Sequence, residues 1–173
     1  MKWVIRLVIV VSALVALVIL TGALLPRTHV AARTVTLRQP PESLWLAFTD
    51  YAAMPRWRPG VTAVEELPPR SGRHVWREHV GGDVITFETS DAEAPHHLVE
   101  TIADSGLGYG GSWTVDIAPV AGGSRVTITE NGTIDNPAFR FVARYVFGLT
   151  TTLDNTLEAL GRRFGETVRP EAA

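Results

Sequence analysis

The sequence predicts an α+β protein: an N-terminal membrane-spanning helix, then a curved antiparallel sheet of seven strands closed against a long C-terminal helix, with two short helices after the first strand. Three observations carry this reading. Residues Leu7 to Leu25 form a run of nineteen without a charge. Between Val61 and Ile134 apolar residues recur with period two between turn clusters. From Val142 to Phe164 they recur at spacings of three and four. Period two puts alternate side chains on one face of a strand, and spacings of three and four align them along one side of a helix.

The first run spans roughly 28 Å at about 1.5 Å per residue, close to the hydrocarbon thickness of a bilayer. Only Ser12, Thr21 and Gly22 interrupt its apolar surface, whereas a helix packed on a soluble core keeps a polar face. A secretory signal would share the basic start, Lys2 and Arg6, and Val30-Ala31-Ala32 would suit its cleavage. Signal cores run only about 7–15 residues, however, so residues 1–27 are expected to be an uncleaved single-pass anchor. Arg27, Arg33 and Arg38 follow the helix and blunt the charge asymmetry that sets orientation. The short basic start favours the N-terminus in the cytoplasm and the domain outside it.

Residues 28–167 are the size of one ordinary domain, and 168–173 are expected to be a disordered tail. From Arg27 onward fourteen Arg and no Lys face eighteen Asp and Glu, a net charge of −4. A mildly acidic surface of interspersed charges lacks the basic stripe that nucleic acid requires. The absence of cysteine removes disulfides and thiolate chemistry.

Within the domain, His29 to Leu37 alternates and reads as a first strand starting almost at the membrane. Pro40-Pro41-Glu42-Ser43 then opens a short helix, since proline suits the first helical position and an acid complements the dipole there. Asp50 to Pro59 reads as a second short helix or turn pair, broken by Pro55 and Pro59. Six strands follow near 61–67, 73–80, 83–90, 97–103, 111–118 and 124–134, separated by clusters such as Gly81-Gly82-Asp83 and Ala121-Gly122-Gly123. Asp135 or Asn136 caps the final helix and Pro137 enters its first turn. Its stripe, Val142, Val146, Leu149, Leu153, Leu157, Leu160 and Phe164, covers more than six turns and needs a large partner, which the concave face of the sheet provides.

This order, with the runs Pro40-Pro41-Glu42-Ser43-Leu44-Trp45, Trp57-Arg58-Pro59-Gly60-Val61, Gly110-Gly111-Ser112-Trp113-Thr114 and Thr129-Glu130-Asn131-Gly132, resembles the helix-grip superfamily of START lipid-transfer domains, the major birch-pollen allergen and polyketide cyclases. Asn136-Pro137-Ala138-Phe139-Arg140-Phe141 is similar to its bacterial members, commonly called SRPBCC proteins. The resemblance covers about residues 28 to 167. It implies a hydrophobic cavity between sheet and long helix, used for lipids, sterols, polyketides or plant hormones, with catalysis in a minority of members. Fold does not fix function, so the site has to be read from its residues.

Strand alternation places Glu130 with Val126, Ile128 and Ile134, Glu100 with Leu98 and Ile102, and Glu78 and His74 with Trp76 and Val80. This pattern sets three carboxylates against one cavity, unless a one-residue bulge turns Glu78 or Glu100 outward. A carboxyl group in an apolar pocket titrates high and can orient a polar ligand or move protons, which makes Glu130 and Glu100 the catalytic candidates. Trp57, Trp76, Phe87, Trp113 and Tyr145 offer apolar ligand contacts or, equally, ordinary core packing. Gly148 interrupts the long helix at a cost of about 1 kcal/mol relative to alanine, which makes sense if it leaves room for a ligand. His96-His97 lacks metal-ligand spacing, so no metal is expected, and no cofactor is implied. Gly108-Tyr109-Gly110-Gly111 has no helix after it and does not form a phosphate cradle.

The leading expectation is a membrane-anchored binding protein for a small hydrophobic ligand, a lipid, isoprenoid or polyketide-like molecule, with Glu130 as polar anchor. The alternative is a cyclase or dehydratase using Glu130 or Glu100 as acid and base. A third possibility is a pocketless envelope partner.

Overall fold

The computed structural model describes residues 1–173. Helix α1 covers Lys2–Leu24 and leads directly into β1, Thr28–Leu37. Helix α2, Pro41–Thr49, and a tight 3₁₀ turn, Tyr51–Arg56, follow. The meander comprises β2 Val61–Arg70, β3 Arg73–Val80, β4 Asp83–Glu93, β5 His97–Ile102, β6 Tyr109–Val120 and β7 Gly123–Ile134. These seven strands form one antiparallel sheet, as the alternation predicts, and their order is β2-β3-β4-β5-β6-β7-β1. Register shifts between Val61 and Ala63 and between Leu67 and Arg70 on β2, and between Thr89 and Asp91 on β4, accompany its curvature.

The C-terminal region is long and helical as expected, but its backbone is not continuous. Helix α3, Pro137–Val142, starts with Asn136 Oδ1 accepting from the Phe139 N–H at 3.1 Å. It widens into a π turn over Ala143–Phe147 and stops at Gly148, whose φ of 82° and ψ of 139° no helix contains. Helix α4, Thr151–Arg163, then runs onto the sheet. The seven-residue stripe is therefore shared between two bodies: Leu153, Leu157 and Leu160 are buried, whereas Val146 is exposed. Periodicity reports which side of each turn is apolar; it does not report whether one axis carries all the turns.

The tail also departs from expectation. Glu171–Ala172 pair as a short strand, β8, with Arg33 and Thr34. Val168 packs on the main core, and Gly161 of α4 admits it, since a Cβ at Gly161 would stand 2.7 Å from Val168 Cγ2.

The main core fills the space between the sheet and α2 and α4, with Leu37, Leu44, Leu98, Val126, Ile128 and Leu157 inaccessible or nearly so. Arg33 Nε, 2.9 Å from Asp154 Oδ1, ties β1 to α4. A smaller cluster of Tyr51, Met54, Val61 and Trp76 closes the other end under the 3₁₀ turn. Helix α1 is long and apolar enough to cross a bilayer, a property a signal sequence shares. Along most of its length it touches nothing; near its end it packs on α3.

Candidate functional site

Antiparallel pairing sets Glu100 on β5 opposite Trp113 on β6, and Trp113 opposite Glu130 on β7. One row of side chains thus crosses the inner face of the sheet. A second row runs Trp76, Phe87, Ile102 on β3, β4 and β5. Strands β3 and β5 keep an unbroken alternation, the extra residues of the bulges lying on β2 and β4, so Glu78 and Glu100 both stay inward and buried. Between these rows and the C-terminal segment lies a cavity of about 380 Å³, within the usual small-molecule range of about 300–1,000 Å³. Phe139, Ala143, Phe147, Leu149, Thr152 and Thr156 form its helical side.

Two polar groupings stand on its sheet side. In the first, Arg58 Nη1 donates to Glu78 Oε1 at 2.8 Å, and Trp76 Nε1 donates to the same oxygen at 3.0 Å. The Arg58 guanidinium also lies 5.1 Å from the centre of the Trp113 ring, a cation–π distance. Glu100 completes this grouping. Burial pushes its carboxyl from the ordinary 4.5 up to about 7, Arg58 opposing the rise and Glu78 adding to it. Its Oε1 is buried and has no hydrogen-bond partner. The Tyr51 phenol, bonded to Thr89 Oγ1 at 3.2 Å, is likewise held above its ordinary value, first by burial and then by Glu100.

In the second grouping both oxygens of Glu130 are engaged: His29 Nε2 lies 3.0 Å from Oε1, and Trp113 Nε1 donates to Oε2 at 3.0 Å. Gly132, opposite His29, makes this reach possible, because a Cβ there would stand 2.3 Å from His29 Cε1. Glu130 is a held carboxylate and Glu100 a free one. That difference ranks Glu100 ahead of Glu130 for any role needing an unoccupied acceptor or a mobile proton.

Of the residues singled out in the sequence, Glu78, Phe87, Glu100, Trp113 and Glu130 line the cavity. Trp57, Trp76 and Tyr145 stand off its wall. Trp57 packs edge-on to Phe48, ring centres 5.9 Å apart, with the Arg163 guanidinium 5.6 Å from its own ring. Trp76 is fully buried between Tyr51, at 4.1 Å, and Phe87, at 5.6 Å, so it supports the wall through the Glu78 hydrogen bond. Tyr145 points away on the π turn and is exposed, its neighbour Phe147 taking the cavity position. Gly148 redirects the chain beside the cavity. Arg58 and His29 belong to the site without having stood out: Arg58 sits in a turn with no periodicity to assign a face, and His29 at the very start of β1. The pairing of a histidine with a glycine across strands was the one available signal for the second. No group of three or more His, Asp or Glu is placed to hold a metal ion.

Residues 28–165 match the sequence profile of the family described as polyketide cyclase / dehydrase and lipid transport. No curated protein sequence matches the chain. Among solved structures, a START superfamily protein from Mycobacterium smegmatis superposes with a TM-score of 0.63 at 18% identity, over 78% of this chain and 96% of that one. The Zhui aromatase/cyclase from Streptomyces sp. R1128 gives 0.60 at 17% identity, over 79% and 96%. Truncated norcoclaurine synthase from Thalictrum flavum gives 0.61 at 14% identity, over 79% and 93%. At these identities the likeness is one of fold. With a sheet closed on its C-terminal helical segment and a profile match over the whole domain, the chain belongs to the polyketide cyclase/dehydrase and lipid transport family of the SRPBCC helix-grip superfamily.

Proposed function

We propose that the chain is a single-pass membrane protein whose domain binds one small uncharged amphiphile, a lipid, isoprenoid or polyketide-like molecule bearing a hydroxyl or carbonyl end. The observation that carries this reading is Glu100, a cavity-lining residue with a buried carboxyl oxygen that lacks a partner. Leaving such an atom alone costs about 1–3 kcal/mol, which a ligand hydroxyl would relieve. The surrounding charges disfavour an anionic end: Glu78, Glu100 and Glu130 outnumber Arg58, which is already paired with Glu78, and would repel a carboxylate. The aliphatic and aromatic lining, Ile85, Phe87, Ile102 and Phe147 among it, takes the rest of the molecule. The apolar α1 and its short basic start support anchoring with the domain outside the cytoplasm, which would raise the local concentration of a lipid-phase ligand.

A pair of fluorescent long-chain probes, one alcohol and one carboxylic acid of equal length, tests this at pH 8 with the full-length chain in mild detergent. The alcohol is expected to bind at least about tenfold tighter than the acid, a difference of about 1.4 kcal/mol. Equal binding would reject the neutral end, and uptake of neither would reject the binding role.

A second reading is favoured by the same residue. A carboxyl group titrating near neutrality inside a cavity suits proton transfer, so Glu100 would serve as acid and base in a cyclase or dehydratase reaction. Under it, Glu100→Gln would lower turnover of a poly-β-ketone thioester by about 10²–10⁴-fold. Turnover unchanged by that substitution, or absent from the parent chain, would discard the enzyme reading.

A further inference from the structure

The cavity rim, an exposed aromatic patch and the N-terminal helix meet at one place. Phe139 and Phe147 line the cavity yet are 43% and 62% exposed, so they stand at its opening. Next to them Tyr145 and Val146 are 60% and 65% exposed. Such an apolar patch is unfavourable in water and marks a surface made for a partner.

Helix α1 identifies that partner. Its end is seated on α3 so closely that a Cβ on Gly22 would stand 1.8 Å from the Pro137 carbonyl oxygen. Arg140 Nη1 donates to the Leu25 carbonyl at 2.7 Å and fastens the same junction. The residues of α1 and its last turn that are not exposed are Val18, Thr21, Gly22 and Leu25, a spacing of three, one and three that marks one helical side. From Leu25 back to Val18 the axis runs about 10 Å at about 1.5 Å per residue. The contact therefore reaches well inside the uncharged run, and a bilayer spanned by that run must also surround α3. An interfacial segment lies about 5–10 Å into the headgroup and acyl boundary, the same depth. Arg27 and Arg144, both exposed, suit the phosphate level beside it.

We propose that residues 137–149 form a gate seated in the lipid leaflet, through which the cavity opens between Phe139 and Phe147 to the acyl region and not to water. Resting on the reading of α1 as a bilayer span, this gives the ligand a route: it passes laterally from leaflet to cavity without an aqueous step. Gly148, where the helical path breaks, lets the gate lie along the leaflet while α4 stays packed on the sheet.

The chain has no cysteine, so single nitroxide labels report one position each. Labels at Val146→Cys and Tyr145→Cys, with Val84→Cys on β4 as an exposed reference, are placed in the full-length chain reconstituted into phosphatidylcholine and phosphatidylglycerol vesicles. Labels at 145 and 146 are expected to collide with oxygen in preference to a water-soluble nickel chelate several-fold more than the label at 84. Equal preference at the three positions would overturn the gate. Tyr145→Asp with Val146→Asp should slow transfer of the fluorescent alcohol from vesicles at least about tenfold while its affinity, measured in detergent, is unchanged. Transfer at the parent rate would also overturn the gate. Occupancy of the cavity, read separately by native mass spectrometry, distinguishes failure of the gate from failure of the binding role.

Discussion

Residues 137–147 and 151–163 are two helical stretches of one chain segment, both supplied with large apolar side chains, and they are used in opposite ways. In α4, Leu153, Leu157 and Leu160 are inaccessible against the sheet, and Asp154 is tied to Arg33. In the stretch before it, Phe139, Tyr145, Val146 and Phe147 remain exposed, and the firm contacts go to the end of α1. Composition points the other way, since the exposed stretch is the more apolar and aromatic of the two. Gly148 ends one axis, so the second stretch inherits the sheet as partner while the first is left with the N-terminal helix and whatever surrounds it. One stretch carries stability and the other carries access to the cavity.

The comparison is open to breaking by substitution in full-length chain held in mild detergent. Leu157→Ala should lower unfolding free energy by about 2–5 kcal/mol, the cost of a cavity in a closely packed core. Chemical denaturation measures this, and a loss as small as that of a surface change would mean that α4 is not the anchored half. Glu100→Gln should act in the opposite direction. Glu100 holds its proton more tightly folded, at about 7, than at the ordinary 4.5. Its contribution is therefore most favourable below about pH 4.5, is lost as pH rises through about 7, and is flat above. At about 1.4 kcal/mol per unit, the substitution should raise stability at pH 8 by roughly 3 kcal/mol, with little change at pH 4. A parent and variant with parallel pH profiles would place the Glu100 carboxyl in contact with water.

Smaller effects test the junction. Gly148→Ala should cost about 1–3 kcal/mol, because φ of 82° with ψ of 139° is reached almost only by glycine. If alanine were tolerated without loss, the two stretches would be able to join as one helix, and the division between them would not be built into the backbone. Val146→Ala should change stability by less than about 0.5 kcal/mol, as for other exposed positions. A loss matching that of Leu157→Ala would show that the outer stretch is packed after all.

The sheet was legible because alternation is strict on the strands that matter. Strands β3 and β5 carry no extra residue, so Glu78, Glu100 and Glu130 could be set on the inner face from spacing alone, and the bulges fell on β2 and β4, where no candidate depended on them. What alternation could not do was distinguish wall from support. Trp76 shares its face with Glu78, yet lies under Tyr51 in an aromatic stack behind the cavity. Arg58 was hidden for the opposite reason, since a turn between two prolines has no period. The break at Gly148 is masked by a stripe whose spacing continues across it: the sequence reads glycine there as room for a ligand, whereas its use is the positive φ. The state of Glu130, held by His29 and Trp113, depends on a cross-strand reach that Gly132 permits and no local pattern announces.

The central claim is that the space between sheet and C-terminal segment holds a small amphiphile. Native mass spectrometry of the full-length chain released from lipid nanodiscs tests it most directly, with Ile102→Trp, which fills the cavity from β5, as the comparison. The parent chain is expected to carry one additional small molecule that the tryptophan variant lacks, both unfolding with similar midpoints. A parent chain that stays at its bare polypeptide mass, even after incubation with a total lipid extract, would contradict the account.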